Sequence, residues 1–463
     1  SALGDINEVI WYREYKTSDG LNVWNDLTLN YNTSTASQKV SPTKALMNMY
    51  LTTDGTPIES DQVPMSKEFE GKKLLILGAN KLICDIVIHA KEMGAYVICA
   101  DYYEDSPAKK IADEGVLIDA TDVDALVRYC QENNVDGVTT GFVDILMPIC
   151  YEVCKKLNLS YYATPKMIAM ATNKIEFKEI CEKYGVPVPK TYLISSSIPK
   201  ELYSQIKYPV FVKPLDASGS RGAGVCYNSK ELDDQFADAI SYSVSNQAII
   251  EDYIVGREFL MDYIAVDGEY RMLSMIDRYV CEDRASAINF ANVSLAPSKG
   301  IDYYFANLND KVVDMFKSLG FNDGLIFLQG HFNGNEIIFY EMGCRLGGSF
   351  FELEQACLGF NPVDMIVRYA LSGKMTNAIN EMHVQQAKYN KFALGYNFLL
   401  KGDSETIAEI TGIDTMVTLQ SYLSSIQYMN VGDHFKKDRT MDKPLVSIWY
   451  VIVLNRFVKI SLF

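Results

Sequence analysis

Apolar and polar positions divide the chain near Lys72. Residues 1 to about 70 are rich in Asn, Thr and Ser and hold few long apolar runs, which predicts an extension rather than a packed core. Beyond Lys72, Leu74-Leu75-Ile76-Leu77 is a short apolar run suited to a buried parallel strand. A helix closed by Gly94 and a second strand over 96–100 follow. Next come a helix ending near Gly115, a third strand over 116–118, a helix from Thr121-Asp122 to about Asn134 and a fourth strand over 135–140. This alternation predicts a doubly wound α/β domain.

Two helix starts come next. Thr164-Pro165 reads as an N-cap followed by proline at the first position. Asn173 opens a second helix, with Phe177, Ile180, Cys181 and Tyr184 on one face and Gly185 and Pro187 ending it. Strands and hairpins then dominate from Leu193 to about Glu341, and helices return over 352–371. Beyond Gly373 a smaller mixed segment runs to the C-terminus, with no internal repeat anywhere. Asn455, Arg456 and Lys459 interrupt the apolar run 445–463. A bilayer span needs about 20 apolar residues, so 446–454 predicts a buried strand.

Composition narrows the function. The hydrophobic and charged fractions, 48% and 22%, are those of an ordinary globular protein, and 463 residues suffice for several domains. The formal charge of −16 argues against nucleic acid or an anionic membrane as the main partner. The ten cysteines show no paired metal spacing, and Cys150 and Cys154 read as buried thiols. With no secretory signal at its start, the chain is expected to be cytoplasmic and its thiols reduced.

The first strand leads into Gly78-Ala79-Asn80-Lys81-Leu82-Ile83, which lacks two glycines of the dinucleotide fingerprint, so Asp101 keeps that geometry without its specificity. A different loop carries more chemistry. Val210 to Pro214 is an apolar strand bearing Lys213, and Asp216 to Gly224 reads D-A-S-G-S-R-G-A-G before a second strand. Glycines let backbone N–H groups converge on an anion, and the loop enters a strand rather than a helix, so it predicts a phosphate-covering hairpin instead of a Walker loop. Lys213 would be costly to bury unpaired. Further on, Ala248-Ile249-Ile250 leads into Glu251, with Glu258 seven positions later. Apolar strands containing Gln329 and Glu341 flank Asn333-Gly334, and Arg345 and Gly347-Gly348 follow.

With these motifs in this order, the sequence resembles the ATP-grasp superfamily over roughly residues 72 to 375. The resemblance is strongest to the branch of biotin carboxylase and the carbamoyl phosphate synthase large subunit; D-alanine–D-alanine ligase is a more distant relative. It implies an α/β fold: a pre-ATP-grasp doubly wound domain over 71–165, an α+β ATP-grasp module over 166–375 and a small C-terminal domain over 376–463. It also implies roles. Lys174 and Lys213 look like the two ATP-contacting lysines, and Ser218, Gly219, Ser220, Gly222 and Gly224 like the loop over the phosphates. Glu251 with the backbone at Tyr253 and Ile254 resembles the adenine-binding hinge, and Glu258 the ribose ligand. Glu341 and Gln329 resemble the metal ligands, and Arg345 the cation beside the transferred phosphoryl group, with Lys213 and Arg345 as the catalytic pair. Within 1–70, residues 41–58 faintly resemble a segment of SusD-like glycan-binding proteins.

Two positions depart from the family pattern. Gln329, twelve residues before Glu341, stands where an acid is usual, and Gly343 stands where asparagine is usual. A shared metal site needs Gln329 and Glu341 on one face, which a three-residue turn over 333–335 would supply. The resemblance implies ATP with magnesium, or manganese in its place, and small-molecule carboxylate and amine substrates; it admits a homodimer. The expected reaction is activation of a carboxylate as an acyl phosphate for attack by an amine, with ADP and phosphate released. Activation of bicarbonate, or ATP binding without catalysis, are the alternatives. The bland readings are solvated lysines and glutamates and an Arg345–Glu341 pair; Arg271, Asp277, Arg278, Asp283 and Arg284 line an acceptor pocket or an exposed face, and His331 has no role.

Overall fold

The computed structural model describes residues 68–216, 222–280, 291–348, 350–351, 354, 361–376, 391–399, 404–410, 422–427, 431–432, 434–436 and 444–453. The N-terminal extension through residue 67, including the segment 41–58, lies outside the described residues, as do 217–221. The described residues fall in two compact units, one within 64–289 and 296–388, the other within 290–295 and 389–463.

The larger unit begins with four parallel strands: β1 (Lys73–Leu77), β2 (Tyr96–Ala100), β3 (Glu114–Val116) and β4 (Gly137–Thr139), in the order β3-β2-β1-β4. Helices α1 (Ile83–Glu92), α2 (Val123–Asn133) and α3 (Met147–Leu157) accompany them. Leu75, Leu77, Ile98, Val138, Cys150 and Cys154 share one buried core, so the two thiols are packing residues. Continuous apolar runs are what strands covered on both faces require. The third strand lies earlier than its apolar residues predict, and the helix expected before it is a single turn, Pro107–Lys110. Asp113 explains the shift: its N–H donates to Val97 O and its carboxylate accepts from Val97 N–H at 2.9 and 2.8 Å, starting the pairing ahead of the run. Asp101 is used locally, accepting from the N–H groups of Ala79 and Tyr103.

Two short helices, α4 (Pro165–Thr172) and α5 (Lys174–Lys183), lead onward. Thr164 Oγ1 caps α4 by accepting from Met167 N–H at 3.3 Å. Asn173 does two jobs at the joint: its N–H donates to Ala169 O at 2.8 Å and its Oδ1 accepts from Ile175 and Glu176 N–H at 3.0 and 3.3 Å. It ends one helix and starts the next, turning Lys174 and Lys178 toward the sheet that follows.

That sheet is antiparallel, with β5 (Thr191–Ser195), β6 (Val210–Pro214), β7 (Gly224–Cys226) and β8 (Ala248–Asp252) in the order β5-β8-β6-β7. Helix α6 (Ser229–Ser241) covers it through Leu232, Phe236 and Ala239. Long strands β9 (Arg257–Val266), β10 (Glu269–Val280), β12 (Gly324–Phe332) and β13 (Ile337–Gly343) run in the order β13-β12-β9-β10. On one face, Tyr263 Oη lies 2.8 Å from Tyr304 Oη and donates to Asn309 Oδ1, tying the sheet to α7 (Ile301–Asn307) and α8 (Asn309–Leu319). Strand residues alternate faces, so Glu258, Leu260, Asp262, Phe327, Gln329, His331, Glu341 and Gly343 share the other. Helix α9 (Pro362–Ser372) returns against β4, where a Cβ on Gly137 would meet Ala370 O at 2.4 Å.

The smaller unit holds β11 (Ala291–Ala296), β14 (Lys391–Leu399), β16 (Tyr422–Gln427) and β18 (Pro444–Val453) in the order β11-β14-β18-β16, with β15 (Ser404–Thr406) and β17 (His434–Lys436) paired separately. Of the apolar C-terminal run, the described part lies in β18, which pairs antiparallel with β14 and β16; residues 454–463 lie outside the described residues. Among the described residues no helix is long and apolar enough to cross a membrane.

Asn173→Ala is expected to destabilise the larger unit by about 1 kcal/mol, the usual worth of an N-cap, whereas Asn173→Asp should stay near wild type. Denaturant midpoints followed by circular dichroism measure this, and an unshifted Ala variant would remove the capping role.

Candidate functional site

Register in the β5-β8-β6-β7 sheet brings the first charged cluster together. Phe211 pairs with Glu251 and Lys213 with Ile249, so Lys213 and Glu251 project from one face of neighbouring strands. Lys213 Nζ approaches Glu251 Oε1 at 2.6 Å. Lys178, one helical turn beyond Lys174 on α5, reaches Glu251 Oε2 at 2.5 Å. It also donates to Pro189 O at 2.9 Å and Thr191 Oγ1 at 2.7 Å, so two hydrogen bonds fix the ammonium beside that carboxylate. Burial alone would raise the Glu251 carboxyl, but Lys213 and Lys178 hold it below the ordinary range. Glu251 therefore organises two lysines with its side chain, and β8 passes without regular structure through Tyr253 and Ile254 into β9. Lys174 Nζ donates to Leu215 O at 3.1 Å. Burial first, and Lys213 second, push its ammonium down to about 8.

Gln329 and Glu341 stand directly opposite one another on β12 and β13. The route differs from the sequence expectation. Phe332 pairs with Ile337, so the turn holds four residues rather than three, and Asn333 Oδ1 closes it by accepting from Asn335 and Glu336 N–H, both at 2.9 Å. The register then slips between Gly330, opposite Phe339, and Gln329, opposite Glu341, leaving Tyr340 as a bulge. Turn length and bulge compensate, and the two residues share a face. Solvent reaches Glu341, yet protein crowds it closely enough that lost hydration pushes its carboxyl up, against the pull of Lys174, Arg345 and Lys213. These three cations and one carboxylate converge on a single place. One carboxylate, Glu341, with the Gln329 amide residue on the paired strand is a donor set a divalent cation could use, since magnesium commonly takes one or two carboxylates and fills its shell with phosphate and water. Among the described residues no group of three or more His, Cys, Asp or Glu side chains could hold a metal by itself.

Arg345 does not pair with Glu341. Its Nε and Nη2 donate to Asp144 Oδ1 and Oδ2 at 2.6 and 2.8 Å, and Nη1 donates to Leu346 O at 2.7 Å. Its guanidinium lies 4.8 Å from the centre of the Phe327 ring. That ring fills the space beside Gly343, where an added Cβ would meet Phe327 Cε1 at 1.9 Å. At the far end of the same face, Glu258 Oε1 accepts from Arg278 Nη1 at 2.6 Å and Tyr340 Oη at 2.7 Å. No described residue bonds Glu258 Oε2. His331 pairs with Glu258 in register and its ring lies 5.3 Å from Tyr340.

The structure thus gathers Lys174, Lys213, Glu251, Glu341, Gln329 and Arg345, and places Tyr253, Ile254 and Glu258 along the strand connection leading away. Ser218, Gly219 and Ser220 lie outside the described residues. Gly222 and Gly224 bound that loop, and at Gly222 packing and a φ of 69° also favour glycine, since a Cβ would stand 2.7 Å from Tyr242. Sequence reasoning missed Lys178, although its spacing from Lys174 puts both on one helical face. It missed Tyr340, whose reach to Glu258 depends on the bulge, and Asp144, which no local motif marks.

Residues 173–377 match the family model described as the carbamoyl-phosphate synthase L chain, ATP binding domain. A formate-dependent phosphoribosylglycinamide formyltransferase of Sulfurisphaera tokodaii is 26% identical over 313 residues, covering 65% of this chain and 77% of the relative. Of a second such enzyme, from Prochlorococcus marinus, the chain spans 52%. Among solved structures, an L-amino acid ligase from Bacillus licheniformis aligns with a TM-score of 0.68 at 19% identity, covering 83% of this chain and 94% of that one. The biotin carboxylase domain of a 2-oxoglutarate carboxylase from Hydrogenobacter thermophilus, in complex with magnesium ADP, ADP and bicarbonate, aligns with a TM-score of 0.65 at 17% identity, covering 82% and 86%. Residues 173–377 thus match an ATP-binding domain of the ATP-grasp type, and the chain shares the fold of these solved structures.

Proposed function

We propose that the chain is an ATP-dependent ligase that activates a carboxylate as an acyl phosphate for attack by an amine. One observation carries this reading: Lys174, Arg345 and Lys213 all act on Glu341, opposite Gln329. Cations around a single carboxylate suit a polyphosphate chain held with a metal ion, and they suit little else in a chain of net charge −16.

In this reading the adenine lies against the backbone of Tyr253 and Ile254, and Glu258 Oε2 accepts from a ribose hydroxyl. Lys174 and Lys213 contact the phosphates, with Lys213 aimed by Glu251. The loop carrying Ser218, Gly219, Ser220, Gly222 and Gly224 covers them. Glu341 and Gln329 hold magnesium, or manganese in its place, which when bound neutralises charge on the phosphate oxygens. A substrate carboxylate oxygen attacks the terminal phosphorus and ADP leaves. The amine then attacks the acyl carbon, the C–O bond to phosphate breaks, and the amine's proton is lost as phosphate departs. Arg345 faces the transferred group in both steps. The same reading divides the chain at 1–70, 71–165, 166–375 and 376–463, and takes it as a cytoplasmic enzyme of small-molecule substrates. The formyltransferase and amino acid ligase relatives support a carboxylate–amine pair.

A screen of carboxylate and amine pairs for ADP formation tests this directly. ADP release with bicarbonate alone would replace it with a carboxylase-type reaction, and nucleotide binding without turnover on any pair would reduce the protein to a binder.

Lys213→Met is expected to weaken ATP binding by about 1.5–3 kcal/mol, the worth of a hydrogen bond to a charged group. Calorimetry on the folded variant measures it, and unchanged affinity would take Lys213 out of the site. Because Lys174 titrates at about 8, affinity for magnesium ATP should fall as pH rises through 8, and this dependence should vanish in Lys174→Met.

Glu341→Gln should abolish turnover in a folded protein. Gln329→Glu should leave turnover unchanged or raised and tighten magnesium, while lowering thermal stability without metal, because two carboxylates would then face each other across one strand pair. A Gln329→Glu variant that is folded but inactive would show a role for the amide itself.

A further inference from the structure

We propose that Asp144 is a positioning residue for Arg345, and that Phe327 and Gly343 complete the clamp that aims its guanidinium at the terminal phosphoryl group. This rests on the nucleotide reading above and goes beyond it, since neither Asp144 nor Phe327 belongs to any motif of that reading.

Asp144 opens a single turn, Asp144–Leu146, that follows β4 of the parallel sheet, whereas Arg345 follows β13. The pair joins positions 201 apart in sequence through two parallel hydrogen bonds of 2.6 and 2.8 Å. Such a fork on a planar guanidinium fixes orientation as well as distance. Leu346 O takes a third N–H, at 2.7 Å. A guanidinium has five N–H donors, so two remain, one on each terminal nitrogen, for an anion. The guanidinium carbon lies over the Phe327 ring, 4.8 Å from its centre, at cation–π distance. Phe327 can lie there because its cross-strand partner is Gly343, where a Cβ would stand 1.9 Å from the ring. The glycine that removes the family's asparagine therefore makes room for the platform on which Arg345 rests.

An ion pair kept only for stability would affect all ligands alike. A positioning pair acts on the terminal phosphoryl group alone, so the readout is the ratio of ATPγS to ADP affinity, measured by calorimetry with magnesium. Asp144→Ala should weaken ATPγS about tenfold, the order of one charge-assisted hydrogen bond, with ADP affinity within about twofold of wild type. Asp144→Glu should recover part of the loss. Phe327→Leu, which keeps apolar bulk if the Asp144 variants fold poorly, should shift the ratio in the same direction by less. Unchanged affinities, or equal weakening of both nucleotides, would overturn the assignment. So would tighter binding of both in Asp144→Ala, which would mean that Asp144 acts only through its charge. If the wild-type protein binds neither nucleotide, the reading beneath the proposal falls, and the assignment with it.

Discussion

Glu251 is buried and still charged, because Lys213 and Lys178 approach its two oxygens at 2.6 and 2.5 Å. A buried ion pair adds little net stability, since desolvation opposes the Coulomb gain, but removing one partner strands the others. What the triad provides is placement. Lys178 comes from α5, Lys213 from β6, Glu251 from β8, and Thr191 Oγ1 on β5 takes another of the Lys178 protons. One carboxylate thereby fixes how a helix and three strands meet. Asn173 starts the helix that carries both Lys174 and Lys178, so a backbone cap and a buried ion pair determine the same geometry.

The second constraint is register on the long sheet. Along its site-facing side, Glu258, His331 and Arg278 form one row, Leu260, Gln329 and Glu341 the next, and Asp262, Phe327 and Gly343 the third. A one-residue slip would turn a whole strand's side chains to the helix-covered face. The bulge at Tyr340 performs such a slip locally, after a turn longer than the shortest that would serve. It keeps Glu341 beside Gln329 and frees Tyr340 to reach Glu258. The order of the rows sets the order of chemistry along the cleft, from the Glu258 cluster, through the opposed Gln329 and Glu341, to Arg345 on its aromatic platform.

Much of this was legible in the sequence because it is local. The first parallel strands, the caps at Thr164 and Asn173, Lys213 beside a glycine-rich loop and the hairpin bearing Glu341 all follow from short patterns of burial and turn chemistry. The unreadable parts depend on distant partners or on register. Nothing near Asp144 indicates that it meets Arg345. The four-residue turn was misjudged because its bulge cancels the extra residue, leaving the same outcome by another path. The third strand was placed late because Asp113, a polar residue outside the apolar run, begins its pairing. Lys178 carries no motif of its own, though a lysine one turn after Lys174 faces the same way.

The second charged cluster differs from the first in the direction of its shifts. Burial and Lys213 push the Lys174 ammonium down to about 8, while crowding pushes the Glu341 carboxyl up. Each departs toward neutrality, the direction in which burial moves a charged group. Contrast Glu251, where Lys213 and Lys178 outweigh burial and hold the carboxyl below its ordinary range. A bound anion would stabilise the Lys174 ammonium, and a bound cation the Glu341 carboxylate, so the two departures call for ligands of opposite sign in one place. A polyphosphate with its metal ion is a ligand of that kind, and groups already fixed in place spend little reorganisation in receiving it.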